Sequence, residues 1–155
     1  MARFQFRHEP LLRLRTEHRD QQRLSVAEAN QAAQILEDQI QGKQQEILDE
    51  KAKAATRLRG TISVDQLLSA GRYEVILEQE LVELRDQLAK VNTEVERRQL
   101  LLVQADQEVR QVERLRELAA DRHEANLQRA EQLAMDEAAA IQSLRSRSVQ
   151  SEGKS

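Results

Sequence analysis

Residues 77–119 read LEQELVELRDQLAKVNTEVERRQLLLVQADQEVRQVERLRELA. Alternate steps of four and three residues, from Leu77 to Ala119, meet an apolar side chain at eleven of thirteen positions, and only Arg98 and Arg116 depart from this pattern. Because the mean step is about 3.5 residues, the apolar stripe stays on one side only if the helix supercoils around a partner helix. The stretch therefore predicts a coiled coil. Its predicted seam contains Leu81, Leu84, Leu88, Val91, Val95, Leu102, Val109 and Val112.

The amino-acid composition also favours long helices over a globular core. Aromatic residues make up 2% of the 155 residues, charged residues make up 33%, and there are only four glycines and one proline. A compact domain of this length needs large apolar side chains, which are scarce here. The abundant Ala, Leu, Glu, Gln and Arg are good helix formers. We therefore expect an all-α protein.

Two long breaker-poor segments are separated by the sequence RGTIS at residues 59–63. Gly60 favours a turn there, and Ser63 is a suitable N-cap for a second helix. Pro10 is tolerated in a first helical turn. The predicted organisation is an N-terminal basic and aromatic segment at 1–9, helix 1 at 10–58, a hairpin turn at 59–63, helix 2 at 64–144 and a disordered tail at 145–155. The predicted fold is an antiparallel coiled-coil hairpin.

A hairpin centred near residue 61 pairs position i with about 122 minus i. Leu77 then lies opposite Gln45, and Ala119 lies opposite Arg3. Beyond Ala119 no chain remains to pair with helix 2, which predicts a C-terminal helical overhang of about 20–25 residues. A smaller apolar stripe on this overhang predicts a binding end: Leu127, Ala130, Ala134, Ala138, Ile141 and Leu144. The same heptad seam serves a monomeric hairpin or a dimer equally well.

Nothing in the sequence indicates catalysis. The chain has no cysteine, and its three histidines are scattered without metal-ligand spacing, so we expect no metal and no cofactor. No phosphate-binding loop motif is present. A net charge of −3 argues against nucleic acid as the main partner. No apolar run is long enough for a membrane span or a secretory signal, so the expected location is the cytoplasm.

Charge and aromatic residues suggest where partners bind. Residues 1–24 carry a net charge of +3, whereas residues 28–50 carry a net charge of −5. These charges either form solvated faces or dock the arginine-rich end on an acidic surface. Phe4 and Phe6 precede helix 1, and Tyr73 lies early in helix 2. Each of these rings is either packed on the chain or available to a partner.

The opening Phe4-Gln5-Phe6-Arg7-His8-Glu9-Pro10-Leu11-Leu12-Arg13-Leu14-Arg15 resembles the Phe-x-Phe-Arg-x-Glu-Pro-Leu-Leu-x-Leu-Arg opening of the flagellar export protein FliJ family. His8 stands where that family usually has leucine. Met135-Asp136-Glu137 is similar to a Leu/Met-Asp-Glu element near the C-terminus of family members. The length and the layout of two long helices also match over nearly the whole chain.

The resemblance implies a stalk in the flagellar type III export apparatus. It implies binding inside the hexameric export ATPase ring through Arg7, Arg13, Arg15, Met135, Asp136 and Glu137. It also implies binding to the export gate through Tyr73 and Leu77, escort of export chaperones, and a cytoplasmic location peripheral to the inner membrane at the flagellar base. Two other functions stay open, namely a generic structural or tethering coiled coil and a nucleic-acid-associated helical module.

Overall fold

A computed structural model describes residues 3–154, which form two long helices. Helix α1 spans Glu9–Arg57 and helix α2 spans Val64–Glu152. No strand occurs between residues 3 and 154. The all-α prediction is therefore confirmed. Residues 1 and 2 of the predicted N-terminal segment, and residue 155 of the predicted tail, lie outside the described residues.

The turn between the helices lies where the sequence places it. The Gly60 amide donates to the Arg57 carbonyl at 3.0 Å, which closes the end of α1. The Ser63 hydroxyl accepts a hydrogen bond from the Gln66 amide at 3.3 Å, which confirms Ser63 as the N-cap of α2. No residue from 3 to 154 has a positive φ. Gly60 therefore ends α1 without adopting a left-handed conformation.

Helix α2 continues eight residues beyond the predicted end at 144. No glycine or proline lies between Gly71 and Gly153, and the Gly153 amide donates to the Val149 carbonyl at 3.1 Å. Serine side chains in this stretch donate to carbonyls three residues earlier, as Ser148 does to Arg145 at 2.8 Å. These local bonds fit a helical backbone. Residues 145–152 are helical here rather than disordered.

The chain divides into two compact units, and unit 2 comprises residues 16–107. Within it, α1 and α2 pack antiparallel across a narrow apolar seam. The largest cluster of buried residues contains Ile40, Ile47, Leu77 and Leu81, with Leu84 and Leu88 packed against it. Further along the seam the small side chains Ala29, Ala33 and Ala105 are buried together with Val95. The predicted seam residues Val91 and Leu102 are half-buried.

Ion pairs between the helices define the pairing register. In unit 2, Lys43 contacts Glu80 at 2.7 Å and Lys51 contacts Glu74 at 3.5 Å. The two residue numbers add to 123 in the first pair and to 125 in the second. These pairs flank the seam, so seam positions i and about 124 minus i lie opposite each other.

The observed register differs by about two residues from the predicted value of 122. Buried Ile47, rather than Gln45, shares the core cluster with Leu77. Gln45 is exposed and donates to Asp49 on its own helix at 2.9 Å. Pairing apolar side chains across the seam, rather than the centre of the loop, determines the register.

Unit 1 comprises residues 1–15 and 108–155, of which 3–15 and 108–154 are described. Leu12 of α1 packs with Val109 and Val112 of α2, and Phe6 packs against the same cluster. Arg15 contacts Glu108 at 2.8 Å and Arg116 contacts Glu9 at 3.4 Å, again with residue numbers that add to 123 and 125. Beyond His123, every described residue of α2 is exposed. Residues 124–152 therefore form the part of α2 that no segment of unit 1 covers, and we call this part the overhang.

Candidate partner-binding surfaces

The N-terminal segment, residues 3–8, lies against α2 instead of extending away from it. The Phe4 and His123 rings are 5.5 Å apart and tilted by 46°. The Phe6 and His8 rings are 5.7 Å apart in an edge-to-face arrangement. Both phenylalanines are half-buried. The Phe4–His123 contact, together with the packing of Phe6 on the Leu12 cluster, holds the segment against α2 before α1 begins at Glu9.

A cleft of about 590 Å³ lies between this segment and α2. Three arginines and two histidines border it, namely Arg3, Arg7, His8, Arg122 and His123. The lining contains no aspartate or glutamate. We call this feature the N-terminal cleft. Sequence periodicity could not reveal it, because residues 3–8 are not helical and the predicted register placed Ala119, rather than His123, opposite the start of the chain.

The arginines assigned to the export ATPase ring occupy different environments. Arg7 and Arg13 are exposed. Arg15 is paired with Glu108, and its side chain keeps 41% of its surface accessible. Arg7 and Arg13 are therefore accessible to an acidic partner, whereas Arg15 already has a carboxylate partner within unit 1.

Met135, Asp136 and Glu137 all lie on the overhang and are exposed. The Met135 side chain is 67% accessible, and Asp136 accepts a hydrogen bond from Gln132 at 3.0 Å. Met135 follows Glu108, the partner of Arg15, by 27 residues along α2. This separation corresponds to about 40 Å of helix. The structure therefore does not bring Arg15 and the overhang residues into one compact site.

Tyr73 and Leu77, assigned to the export gate, differ sharply in exposure. Tyr73 is 44% accessible and lines an open cleft near the turn with Thr61 and Asp65. Leu77 is 2% accessible because it faces α1 in the seam. The gate contact of Leu77 stays a prediction, and its side chain is covered by α1 in the hairpin, whereas that of Tyr73 is accessible.

An exposed apolar face lies near the turn and was not predicted from the sequence. Leu67, Leu68, Val75 and Ile76 are each about half accessible and surround Gly71. A Cβ atom at Gly71 would meet nothing within 4 Å. The sequence contains a signal for this face. A second run of apolar residues, including Val64, recurs at steps of four and three on the outer side of α2. The stronger seam pattern that begins at Leu77 obscured it.

Local ion pairs shift the pKa of side chains on both helices, including Glu94 and Lys43. Hydrogen bonds from Arg97 and then Arg98 lower the pKa of Glu94 to about 2. Hydrogen bonds with Glu80 and then Glu46 raise the pKa of Lys43. Arg98 also donates to the Ser25 carbonyl at 2.7 Å, so it links the two helices of unit 2. These contacts stabilise polar side chains at the seam and do not form a catalytic arrangement.

Two further observations concern the described residues. Among residues 3–154, no group of three or more His, Cys, Asp or Glu side chains is arranged to hold a metal ion. Neither described helix contains a segment long and apolar enough to cross a membrane.

Comparison with known proteins gives one family. The family described as "Flagellar FliJ protein" matches residues 4–148, which leaves out only the first three and last seven residues. No curated protein and no solved structure matches the chain. The match includes every cleft-lining residue except Arg3, all of α1, and α2 as far as residue 148. The chain belongs to the flagellar FliJ family, and it is therefore a protein associated with flagellar export.

Proposed function

We propose that this protein is a coiled-coil stalk of the flagellar type III export apparatus, which binds inside the export ATPase ring. The exposed overhang carries this proposal. All described residues from 124 to 152 are exposed, although Leu127, Leu133, Met135, Ile141 and Leu144 are apolar. A helix with an uncovered apolar stripe is suited to binding inside another protein. Family membership supports the choice of an export partner.

Exposed positive charge on unit 1 supports binding to an acidic surface inside the ATPase ring. Arg7 and Arg13 are exposed, and neither forms an ion pair with any residue from 3 to 154. Arginines of this kind can donate two parallel hydrogen bonds to a carboxylate of a partner. We assign the ring contact to Arg7, Arg13, Met135, Asp136 and Glu137. Arg15 contributes less, because Glu108 already accepts its hydrogen bond.

The second part of the proposal is a link to the export gate near the turn. Tyr73 is the exposed aromatic residue of this region, and exposed tyrosines frequently anchor protein interfaces. The apolar face around Gly71 lies on the same helix and could extend such a contact. Escort of export chaperones, and a location peripheral to the inner membrane, follow from the resemblance to the family and complete the proposal.

Binding of a purified hexameric export ATPase tests the ring contact. We expect the full chain to form a complex of one stalk with six ATPase subunits in native mass spectrometry, and to stimulate ATP hydrolysis. The truncated chain 1–126 should lose both activities. Ring binding and stimulation by chain 1–126 equal to those of the full chain would contradict the role of the overhang. Binding of several stalk chains per ring would contradict the stalk arrangement.

A matched pair of variants tests the gate contact. Tyr73→Ala should weaken binding to the cytoplasmic part of the export gate about tenfold, as expected for loss of an aromatic anchor, while ring binding stays unchanged. Ile35→Ala is the control, because Ile35 is similarly exposed at 51% but lies on α1. Equal weakening by both variants, or no weakening by Tyr73→Ala, would rule out Tyr73 as the contact.

A further inference from the structure

The N-terminal cleft concentrates positive charge and has no carboxylate in its lining. Arg3 and Arg7 come from the N-terminal segment, and Arg122 comes from α2. All three are exposed, and none forms an ion pair with a residue from 3 to 154. Two other arginines of unit 1, Arg15 and Arg116, are instead paired with glutamates. The cleft therefore presents three available guanidinium groups, on a chain with net charge −3.

The floor of the cleft is apolar and aromatic. Phe4, Phe6, Leu115 and Ala119 line it beside the arginines. The Phe4 and His123 rings lie 5.5 Å apart and are tilted by 46°, so two aromatic rings border the charged groups. The volume of about 590 Å³ falls in the range of roughly 300–1,000 Å³ that is typical of small-molecule sites.

We propose that the N-terminal cleft binds a nucleoside triphosphate or a closely related organic polyphosphate. Guanidinium groups donate paired hydrogen bonds to phosphate oxygens, and three of them offset most of the negative charge of a triphosphate chain. The base would stack on the Phe4 ring or the His123 ring, as bases stack on aromatic side chains in single-stranded nucleic-acid sites. This goes beyond the proposed function, because it assigns a small-molecule ligand and uses Arg3 and Arg122, which have no role in that function.

The shape of the site favours a small anion over a membrane. A membrane-binding surface inserts protruding apolar side chains between lipid headgroups. Here Phe4 and Phe6 are half-buried and packed on α2, and Phe6 belongs to the cluster around Leu12. An acidic peptide would satisfy the arginines but would make no particular use of the paired rings. A peptide is therefore included in the test as a competing ligand.

Isothermal titration of the full chain with ATP, at low ionic strength and with no ATPase present, tests the proposal. We expect Arg3→Gln combined with Arg122→Gln to weaken ATP binding at least tenfold. Phe4→Leu should weaken it severalfold, because leucine keeps the apolar floor but removes the ring. Arg129→Gln is the control, since Arg129 is an exposed arginine of the same helix that does not line the cleft. It should leave ATP affinity unchanged.

Two further ligands separate the contributions of charge and ring. Inorganic triphosphate should bind at least fivefold more weakly than ATP, and a hexaglutamate peptide should bind more weakly still. Failure of ATP to bind at millimolar concentration would overturn the proposal. So would equal binding of ATP and triphosphate, tighter binding of the peptide, or a loss in Arg129→Gln equal to that in the double variant. Because no ring protein is present, none of these outcomes depends on the stalk proposal.

Discussion

Arg19 occupies a position of α1 that faces α2, where a regular coiled coil would have an apolar side chain. Its side chain is only 19% accessible, and its Nε atom is buried without a hydrogen-bond partner. The closest approach to Asp106 across the seam is 3.9 Å, and the bond to neighbouring Asp20 is 3.4 Å. A poorly paired, largely desolvated cation contributes little to stability and leaves a donor unsatisfied.

We therefore expect Arg19→Met to raise the free energy of unfolding by about 1 kcal/mol, because methionine fills the seam without an unsatisfied donor. Urea denaturation followed by circular dichroism measures this change. Arg23→Met is the control, since the Arg23 side chain is 58% accessible and the substitution should change stability little. A loss of stability in Arg19→Met would show that the pair with Asp106 is a net stabilising contact.

Ionisation of Glu94 should make the stability of the folded chain depend on pH in the acid range. Its pKa is lowered to about 2 in the folded chain by Arg97 and Arg98, from an ordinary value of 4.5. Folding therefore favours the ionised carboxylate, and the stabilisation is complete above pH 4.5 and is lost as pH falls toward 2. We expect Glu94→Gln to have a lower melting temperature than the parent at pH 7.

The difference between the two melting temperatures should shrink steadily below pH 4.5 and disappear near pH 2. Other carboxylates titrate in the same range, but they are common to both chains and cancel in the comparison. Glu117→Gln is a suitable control, because Glu117 contacts one exposed arginine, Arg114, at 3.0 Å, whereas Glu94 contacts two arginines. A difference in melting temperature between Glu94→Gln and the parent that stays constant from pH 7 to pH 2 would contradict the lowered pKa of Glu94.

At the scale of the helices, the seam of α2 was predictable over its whole length, whereas the seam of α1 was predictable only at its apolar positions, such as Ala29, Ile40 and Ile47. The inward-facing positions of α1 also repeat at steps of three and four, but Arg15, Arg19, Gln22, Lys43 and Glu50 occupy five of them. A search for apolar residues cannot recognise such positions. Long polar side chains cover the seam with their aliphatic parts while their charged ends reach carboxylates at its edge. The Lys43–Glu80 pair shows this arrangement.

The turn was predictable because Gly60 and Ser63 act on the backbone next to them. Gly60 favours a turn, and Ser63 favours the N-cap of a helix. The register was not predictable to the residue, because it depends on which side chains meet across the seam. The end of α2 was missed for another reason. Serine is common in disordered tails, but the hydroxyls of Ser146, Ser148 and Ser151 are bonded to the helix backbone here.

The register can be tested by crosslinking. Cysteines at positions 40 and 84 should form a disulfide within one chain, because their residue numbers add to 124 and Leu84 packs against the cluster that contains Ile40. Mild oxidation followed by non-reducing electrophoresis and mass spectrometry identifies the product. Cysteines at 40 and 82 are the control, since Val82 is 64% accessible and lies outside the seam. Faster crosslinking of the control pair would support the register of 122 instead.

For the whole chain, sequence located the two ends that carry candidate surfaces but not how their residues are arranged. The overhang followed from simple counting of paired residues. The N-terminal cleft did not, because it depends on how Phe4 and Phe6 lie on α2. The burial of Leu77 separates it from Tyr73, although the two are one helical turn apart. Helical spacing alone does not state which face a partner helix covers.

The overhang should be dispensable for stability even where it is needed for binding. Residues 124–152 bury no side chain, so chain 1–126 should keep a melting temperature within about 2 °C of the full chain. Its molar helical ellipticity should fall, because residues 127–152 of α2 are removed. Deletion of residues 1–8 is the comparison. It removes Phe6 from the Leu12 cluster and should lower the melting temperature by several degrees.

Sedimentation analysis of the same chains connects this result to the oligomeric state. If the overhang is uncovered in solution, the full chain and chain 1–126 should sediment with the same number of subunits, and their melting temperatures should not depend on protein concentration. Chain 1–126 could instead form a smaller assembly than the full chain and melt more than 5 °C below it. That result would show that the overhang is covered in solution. The apolar stripe of the overhang would then be covered by a second copy of the chain, and ring binding would require that copy to leave.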